Sequence, residues 1–359
     1  FYLLLRYFFR DYEYDKSVSI IFYFRYGLYV LAVYYFLSKI ENLDKQFFNF
    51  LTFIFIILSL DTFFQYYFEF NIIGIKPAHI DRMSSFFGDE SILGSYLVKF
   101  MPFIYINLIT QKIDIKKFLK FFLIILISSL SIILSGERAA ILSMLLLLIY
   151  FSIFLKKYQF KQIIILSIII VFSLIFIISD KNISNRLIHK TLYELTEEKN
   201  EGGHITLEKS KANFNFYIFS STHNNYYLTA LNIFRDNKLF GSGPRSFRYI
   251  CKNKKFLINK ESCSTHPHNY YLQVLSELGL IGFLFLFFTY SYVIYNMLHL
   301  LFKNKFSINN NYKICLMGFF FVNLWPIMPT ASFFNNWTSI ILYIPISFYL
   351  LSNMRIKNS

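Results

Sequence analysis

The chain has 359 residues, of which 55% are hydrophobic and only 16% are charged. Soluble domains carry about 25% charged residues, so this composition predicts an integral membrane protein. The formal net charge of +15 would suit nucleic acid. However, the basic residues lie in short loops between apolar segments, as they do in membrane proteins. We therefore expect no nucleic-acid partner.

The chain begins at Phe1 rather than at a methionine, and no cleavage site precedes its first apolar run. A secretory signal peptide would have a charged start and a cleavage site of small residues. We therefore expect the chain to be a fragment that lacks one or more N-terminal helices.

Apolar runs of nearly membrane-spanning length recur along the chain, since a helix of about 20 residues crosses a bilayer core. In chain order they are 18–38, 47–68, 91–110, 118–135, 139–155, 162–179, 279–302, 314–328 and 338–353. They predict an all-α polytopic membrane protein. We divide it into N-terminal transmembrane helices (1–179), one large loop (180–268) and C-terminal helices (269–359).

Basic residues cluster in the short loops, and all these clusters fall on one side if every run spans. They are Lys112, Lys116, Lys117, Lys156, Lys157, Lys161, Lys303, Lys305 and Lys313, with Arg355 and Lys357 in the tail. Positive charge in short loops marks the cytoplasmic side. The loop 180–268 is then periplasmic, and we expect a multi-pass protein of the bacterial inner membrane.

The polar stretch THPHNYYLQVLSELGLIG (265–282) stands directly before a spanning run. Ser264 or Thr265 can cap a helix here, and Pro267 suits a first helical turn. Gly279 can end this helix or kink it into the next span.

His266, His268 and Asn269 of this stretch are therefore predicted at a helix N-terminus on the non-cytoplasmic face. Free N–H groups and the positive end of the dipole favour phosphates there and disfavour an imidazolium. His268 would stay neutral and able to accept a proton. The simpler alternative is that the histidines only cap or pack at the interface.

The turn SGERAAIL (135–142) puts Arg138 in the first turn of the next span. A cation at that position opposes the helix dipole and is costly in a membrane, so we expect a partner or a function for it. Glu137 is the partner if the role is structural.

The segment FGSGPRSFRYIC contains two glycines and a proline, which predict a tight turn followed by Arg245 and Arg248. Arginine suits bidentate contacts with phosphate. The segment is neither a Walker A loop nor a G-x-S-x-G elbow, so nucleotide hydrolysis and serine-hydrolase chemistry lack support.

Cys251 and Cys263 lie on the predicted periplasmic loop, where an oxidising compartment favours a disulfide. The alternative is a zinc site of the form C-x11-C-x2-H-x-H, completed by His266 and His268. The single residue between the histidines is tighter than usual zinc spacings, so we expect no metal.

Four further residues are candidates. Arg82, in DRMSSFFGDE, lies on the non-cytoplasmic side of the predicted topology. Arg25 and Asp61 fall within or near the first and second spans, and an ionisable residue in a membrane segment is a functional candidate. His223, in STHNNYYLTA, is the weakest of the four.

Arg138 and Arg248, with Arg245 and Arg82, share the predicted face with His268 and come without acidic metal ligands. Cations and a helix N-terminus would hold a diphosphate, while a neutral imidazole deprotonates a hydroxyl. This chemistry fits glycosyl transfer from a polyprenyl-diphosphate donor.

The residues also resemble a known family. His268-Asn269, nine residues, Gly279, two residues and Gly282 fit H-[NSQ]-x9-G-x-x-G, the signature of the O-antigen ligase and polymerase superfamily. SGERAA resembles the Arg-bearing turn of that family, and IFRDNKLFGSGPRSFR resembles its approach to the large periplasmic loop. RMSSFFGDESILGSYL is similar to an upstream segment. The resemblance covers roughly 60–350.

The resemblance implies a glycosyltransferase-C-like helical bundle with one large periplasmic loop and a ligase-related core at about 120–290. It implies an inverting, metal-independent enzyme without a cofactor. The donor would be an undecaprenyl-diphosphate-linked glycan, and the acceptor lipid A-core or a second lipid-linked glycan. A chain-length regulator stays open as a protein partner.

By position, Arg138 and His268 match the functional Arg and His of the family, and we add Arg248 as a catalytic residue. The substrate-binding candidates are Arg245, Arg82, His266, Asn269 and His223. The ligases have an Arg ahead of the Gly-rich turn, roughly where this chain has His223, and this departure favours a polymerase.

A lipid-linked oligosaccharide flippase is the alternative function. A flippase would need a large polar lumen with charges on many helices, which this sequence lacks. The chain also shows no internal repeat, whereas transporters are often built from repeats.

Overall fold

The computed structural model describes residues 2–8, 18–109, 114–196, 220–302 and 308–357. These residues form helices joined by loops, with one isolated β-bridge between His79 and Arg82. Part of the predicted loop 180–268, residues 197–219, and three of the basic residues used for the topology, Lys112, Lys303 and Lys305, lie outside the described residues. The all-α prediction is confirmed.

The α-helices in chain order are α1 (Tyr2–Phe8), α2 (Arg25–Lys39), α3 (Leu43–Phe68), α4 (Leu93–Ile109), α5 (Ile115–Leu134), α6 (Arg138–Phe154), α7 (Gln159–Ser179), α8 (Lys181–Ser184), α9 (Lys190–Thr196), α10 (Ser221–Asp236), α11 (Phe247–Ile250), α12 (Tyr270–Phe302), α13 (Ile308–Asn323) and α14 (Asn336–Lys357). Short 3₁₀ segments occur at Val18–Phe24, Ser85–Phe87 and Lys156–Tyr158, and a π-helical turn occurs at Asn185–His189.

Six of the described helical segments are long and apolar enough to cross a membrane. They are Ile21–Lys39, Leu43–Phe68, Ile115–Leu134, Lys156–Ser179, Tyr270–Phe302 and Asn336–Met354. The helix Arg138–Phe154 is apolar but shorter. The protein is therefore a multi-pass membrane protein, as its hydropathy predicts.

Every predicted span contains a helix, but the bounds of one are wrong. The run 314–328 was expected to be helical throughout, whereas α13 ends at Asn323. Pro326 explains the early end, because proline supplies no N–H and disfavours helical geometry in the preceding residue.

The described residues divide into two compact units. The larger comprises Tyr23–Ile183, Phe287–Met328 and Asn336–Ser359. Within it, α4 packs against α3, α5, α6 and α13. The ring of Phe103 on α4 lies 5.8 Å from that of Phe48, and Tyr105 stacks on Phe151 at 4.0 Å between centroids. Aromatic packing of this kind stabilises helix contacts where lipid supplies no hydrophobic driving force.

The loop after α3 is held by polar side chains from that helix. The carboxylate of Asp61 accepts hydrogen bonds from the Ile72 N–H at 2.8 Å and the Ser85 hydroxyl at 2.5 Å. Gln65 Oε1 accepts from the N–H groups of Ser84 and Ser85 at 2.9 and 2.8 Å. The ionisable residue of this span therefore orders a loop.

The smaller unit comprises Phe1–Phe22, Ser184–Leu286 and Pro329–Asn335. It therefore extends beyond the loop 180–268 expected from the sequence. α10 and α11 pack on one another around a small apolar core of Ala230, Ile233, Phe247, Ile250, Cys251 and Phe256. This unit holds the histidine motif.

Candidate functional site

The helix that follows the histidine motif begins at Tyr270, and Asn269 caps it. The Oδ1 atom of Asn269 accepts hydrogen bonds from the N–H groups of Tyr271 and Leu272 at 3.0 and 3.1 Å. An Asn side chain in this position satisfies N–H groups that have no partner within the helix. Asn269 thus has a defined structural role at the start of α12.

The prediction that Ser264 or Thr265 caps this helix, with Pro267 in its first turn, is wrong. His268 adopts a left-handed conformation, with φ 55°, immediately before the cap. That conformation delays the start of the helix, because a left-handed residue cannot belong to a right-handed turn. Both histidines therefore precede α12 instead of forming its first turn.

Three histidines come together in this unit. The ring centroid of His268 lies 4.1 Å from that of His266 and 5.7 Å from that of His223. Tyr226 stacks on His268 at 5.5 Å, with an interplanar angle of 29°. We call these four residues the histidine cluster. His223, the weakest candidate in the sequence, thus lies beside His268, the histidine of the family motif.

The first turn of α10 presents His223 to this cluster. Ser220 caps α10, since its hydroxyl accepts a hydrogen bond from the His223 N–H at 3.2 Å. The same hydroxyl lies 2.8 Å from Nδ1 of the His223 ring. The cap therefore also orients the imidazole.

Hydrogen bonds fix the tautomer of His266. Its Nε2 lies 3.3 Å from the carbonyl oxygen of Thr330, which can only accept, so Nε2 carries the hydrogen. Its Nδ1 lies 2.9 Å from the Thr265 hydroxyl, which then donates. Both ring nitrogens of His266 therefore have a hydrogen-bond partner when the imidazole is neutral.

Burial keeps both motif histidines neutral. It lowers the pKa of His266 to about 4, partly opposed by the bond to the Thr330 carbonyl and reinforced by the charge of Arg248. Burial also lowers the pKa of His268 to about 3, and the neighbouring rings of His266 and His223 add to this effect. His268 is therefore a neutral imidazole across the physiological range.

The segment Pro329–Asn335 clamps the histidine turn. The Thr330 N–H donates to the carbonyl oxygen of His268 at 2.8 Å. Gln273 of α12 donates to the Ser332 hydroxyl at 3.1 Å and accepts from the Phe333 N–H at 2.8 Å. This segment is therefore bonded both to the histidine turn and to α12.

The Gly-rich turn lies against a kink in α12. Gly279 has φ 68° and ψ −164°, so the helix is interrupted there, as predicted. The N–H groups released by the kink, on Leu280 and Ile281, donate to the carbonyls of Lys238 and Leu239 at 2.8 and 3.4 Å.

The two backbones approach too closely for any side chain. A Cβ atom on Gly279 would lie 2.4 Å from the Leu239 carbonyl oxygen, and one on Gly241 would lie 2.4 Å from the Gly279 nitrogen. Gly241 also has φ 66°, a conformation that suits glycine. The first glycine of the H-[NSQ]-x9-G-x-x-G motif is thus required by this contact.

Glu277 anchors the same turn, and sequence reasoning missed it. Its carboxylate is fully buried and accepts hydrogen bonds from the N–H groups of Arg245 and Phe247 at 2.9 and 3.0 Å. It also accepts from Gln273 Nε2 at 3.2 Å. A buried carboxylate needs such donors. An acidic residue within an apolar helix was the signal that could have revealed it.

Arg248 follows this turn, on α11, and its charge reaches His266. Its Nε atom is buried and has no hydrogen-bond partner among the residues that the structure describes. The same holds for the hydroxyls of Tyr227 and Thr330. Buried donors without partners are rare in folded proteins, so these atoms are available to a ligand.

Cys251 and Cys263, the pair expected to bond, form a disulfide with 5.2 Å between their Cα atoms. The bond ties the end of α11 to the chain just ahead of the histidine turn. Because both sulfur atoms belong to the disulfide, neither can bind zinc as a thiolate in the alternative arrangement.

The larger unit contains the remaining predicted residues, Arg138 and Arg82. Arg138 is the first residue of α6, as predicted. Arg82 donates to the carbonyl oxygen of Ser91 at 3.3 Å. Its charge favours the ionised form of Glu137 and so opposes the effect of burial, which raises the pKa of that carboxyl group.

The carboxylate of Glu137 caps α4. It accepts hydrogen bonds from the Gly94 N–H at 2.7 Å, the Ser95 N–H at 3.2 Å and the Ser95 hydroxyl at 2.5 Å. The turn SGERAA and the segment RMSSFFGDESILGSYL, both noted for their resemblance to the family, are therefore bonded to each other. An anion suits the N-terminus of α4 because of the helix dipole.

Fold and site together define an all-α, multi-pass membrane protein with a histidine cluster, in which His266 and His268 are neutral, ahead of a membrane-spanning helix. Residues 122–287 match the family model described as O-antigen ligase. The match covers less than half of the chain, and it confirms the predicted resemblance of these residues to the O-antigen ligase and polymerase superfamily. No curated protein matches the chain.

This match supports a glycosyltransferase-like role at a membrane in O-antigen processing. Lipid-linked glycans and lipid A-core are the substrates that the family implies in general. The matched residues include Arg138, His223, Arg248 and His268.

Proposed function

We propose that the protein is an inverting, metal-independent glycosyltransferase that moves an undecaprenyl-diphosphate-linked glycan onto an acceptor hydroxyl. It acts at the periplasmic face of the bacterial inner membrane. The convergence of His223, His266 and His268 in one cluster supports the proposal, since the three are brought together from two distant parts of the chain.

His268 is the general base. The acceptor oxygen attacks the anomeric carbon of the donor sugar while its proton passes to the neutral imidazole. The bond between that carbon and the diphosphate oxygen breaks, and the diphosphate leaves with the electron pair. Burial lowers the pKa of His268 to about 3 without substrate. A diphosphate bound nearby raises that pKa, because an adjacent anion favours the protonated ring.

Substitution of His268 tests the base role. His268→Gln keeps a hydrogen-bond donor but provides a poor base, so its turnover should fall as far as that of His268→Ala, by about 10²–10⁴-fold. The assay uses purified protein with defined lipid-linked donor and acceptor. His189→Gln, a change at an exposed position in the same unit, serves as the control. Near-normal turnover of His268→Gln would reject the base role.

Arg248 binds the donor diphosphate, since it carries a buried Nε atom without a partner in the described chain. Arg248→Lys keeps the charge and loses the planar fork, so both transfer and donor affinity should fall sharply. Arg235→Lys, on the exposed face of α10, is the matched control. Equal donor affinity in the two variants would mean that Arg248 does not contact the donor.

Arg138 keeps the donor-binding role expected from its charge and its predicted place on the periplasmic face, and Arg138→Lys tests this role separately under the same conditions. Loss of transfer without loss of expression supports this role. Wild-type transfer by this variant would show that bidentate contact at position 138 is not needed.

A second lipid-linked glycan is the acceptor we favour, because this chain has His223 where the ligases have an Arg. Purified protein offered both acceptors together should therefore extend the lipid-linked glycan. Mass spectrometry of the products separates the two activities. Transfer to lipid A-core instead would identify a ligase.

A further inference from the structure

A groove of about 390 Å³ lies between α3 and α5 within the larger unit. Ile56 and Leu60 contribute to one wall, and Leu123 contributes to the other. Leu60 is 57% exposed and Leu123 is 45% exposed. Both helices are long and apolar enough to cross a membrane, so the groove opens toward lipid.

The groove is apolar except near its two ends. Ser59 and Ser128 lie deep in it and face each other, with 3.2 Å between their hydroxyl oxygens. Lys116 and Lys120 lie at the other end, near the start of α5. Because they are four residues apart on a helix, both project from the same face.

These two lysines are exposed, and neither makes an ion pair or hydrogen bond within the part of the chain that the structure describes. Lysine side chains at the end of a membrane helix extend toward the headgroups. Two adjacent positive charges at this depth favour an anionic headgroup.

The groove also has a suitable length for a lipid chain. Ser128 lies twelve positions after Lys116 on α5, which corresponds to a rise of about 18 Å along the helix. That is more than half of a hydrocarbon core about 30 Å thick. A ligand that fills it needs a negative head at the lysines and an apolar tail along Leu123.

We infer that this groove binds an anionic phospholipid, with its phosphate on Lys116 and Lys120 and an acyl chain between α3 and α5. Basic pockets between transmembrane helices are suited to anionic lipid headgroups. Lys116 is one of the basic residues that predict the cytoplasmic side, and Lys120 lies one turn further along α5, so the lipid comes from that leaflet. This site is independent of the proposed glycosyl transfer.

Native mass spectrometry of the purified full chain tests the site. The protein is titrated with cardiolipin, phosphatidylglycerol or phosphatidylcholine in mild detergent, and bound lipids are counted. We expect one anionic lipid to be retained in preference to phosphatidylcholine. Lys116→Gln/Lys120→Gln should weaken this retention by about tenfold or more, since each lysine near a headgroup contributes several-fold.

The matched control is Lys39→Gln/Lys45→Gln, which removes two exposed charges outside the groove, at the end of α2 and at the start of α3. It should keep the lipid. Leu123→Trp fills the groove without changing charge and should reduce retention of the anionic lipid. If the two double variants lost the anionic lipid to the same extent, the inference would be overturned. Stronger retention of a polyprenyl monophosphate, or a dimer dissociated by Leu123→Trp, would also overturn it.

Discussion

Gly279→Ala should disrupt the contact between the Gly-rich turn and the kink of α12. The new Cβ atom would lie 2.4 Å from the Leu239 carbonyl oxygen and 2.6 Å from the Gly241 nitrogen. Both are backbone atoms, so no side-chain rotation can relieve the overlap. The two backbones must separate.

Gly279→Ala should lower the stability of the protein for two reasons. At φ 68° and ψ −164°, a residue other than glycine is strained by about 1–3 kcal/mol. Separation also breaks the hydrogen bonds of the Leu280 and Ile281 N–H groups. These groups lie in a membrane-spanning helix, where no water replaces a lost partner, so each loss costs about 1–3 kcal/mol. The total is at least about 3 kcal/mol, a large part of the stability of an ordinary domain.

Hydrogen exchange on the peptide 237–246, with a thermal melt in detergent, measures this effect. Protection of that peptide and glycosyl transfer should both fall in Gly279→Ala. Gly27→Ala is the control, because nothing lies within 4 Å of its added Cβ. In a helix this change should stabilise by up to about 1 kcal/mol. Wild-type protection and transfer in Gly279→Ala would refute the close-contact explanation.

Three further predictions concern stability. Glu137→Gln weakens the cap of α4 and should lower the free energy of unfolding by about 1–3 kcal/mol. Its melting temperature should therefore fall more than that of Glu90→Gln, a change at an exposed site. The pKa values of His266 and His268 lie near 4 and 3 in the folded protein, below about 6.5 in an unfolded chain. The unfolded chain therefore binds more protons than the folded protein, so the free energy of unfolding should fall as the pH is lowered from 7.5 to 4.5. Thermal melts across this range should show a decrease of at most about 1.4 kcal/mol per pH unit for each histidine. Replacing both His266 and His268 by Asn should reduce this dependence of stability on pH. Cys263→Ser should cost about 2–4 kcal/mol in a denaturant titration under non-reducing conditions.

Local patterns in the sequence were sufficient for the helices and for several parts of the site. Apolar runs located the helices because a bilayer imposes their length and composition. The kink at Gly279 and the turn at Gly241 followed from glycine's access to positive φ. Arg138 lies at the start of its helix, as predicted from the short SGERAA turn.

Contacts between distant segments were not predictable in this way. Nothing local to His223 or Thr330 signals that each lies against the histidine motif, because these pairings depend on the tertiary fold. The cap of α12 was assigned incorrectly for the same reason. The Thr330 N–H holds the His268 carbonyl outside the helix, so the helix starts later and Asn269 is its cap instead of Ser264 or Thr265.

The clamp at Pro329–Asn335 lies downstream of the family match, which ends at residue 287. A chimaera joined at that boundary would inherit the full histidine signature from one parent and its clamp from the other. Thr330 contributes through its backbone N–H and carbonyl, which any parent supplies. Ser332, by contrast, contributes a side-chain hydroxyl to Gln273. Active recombinants should therefore be those in which positions 273 and 332 come from the same parent.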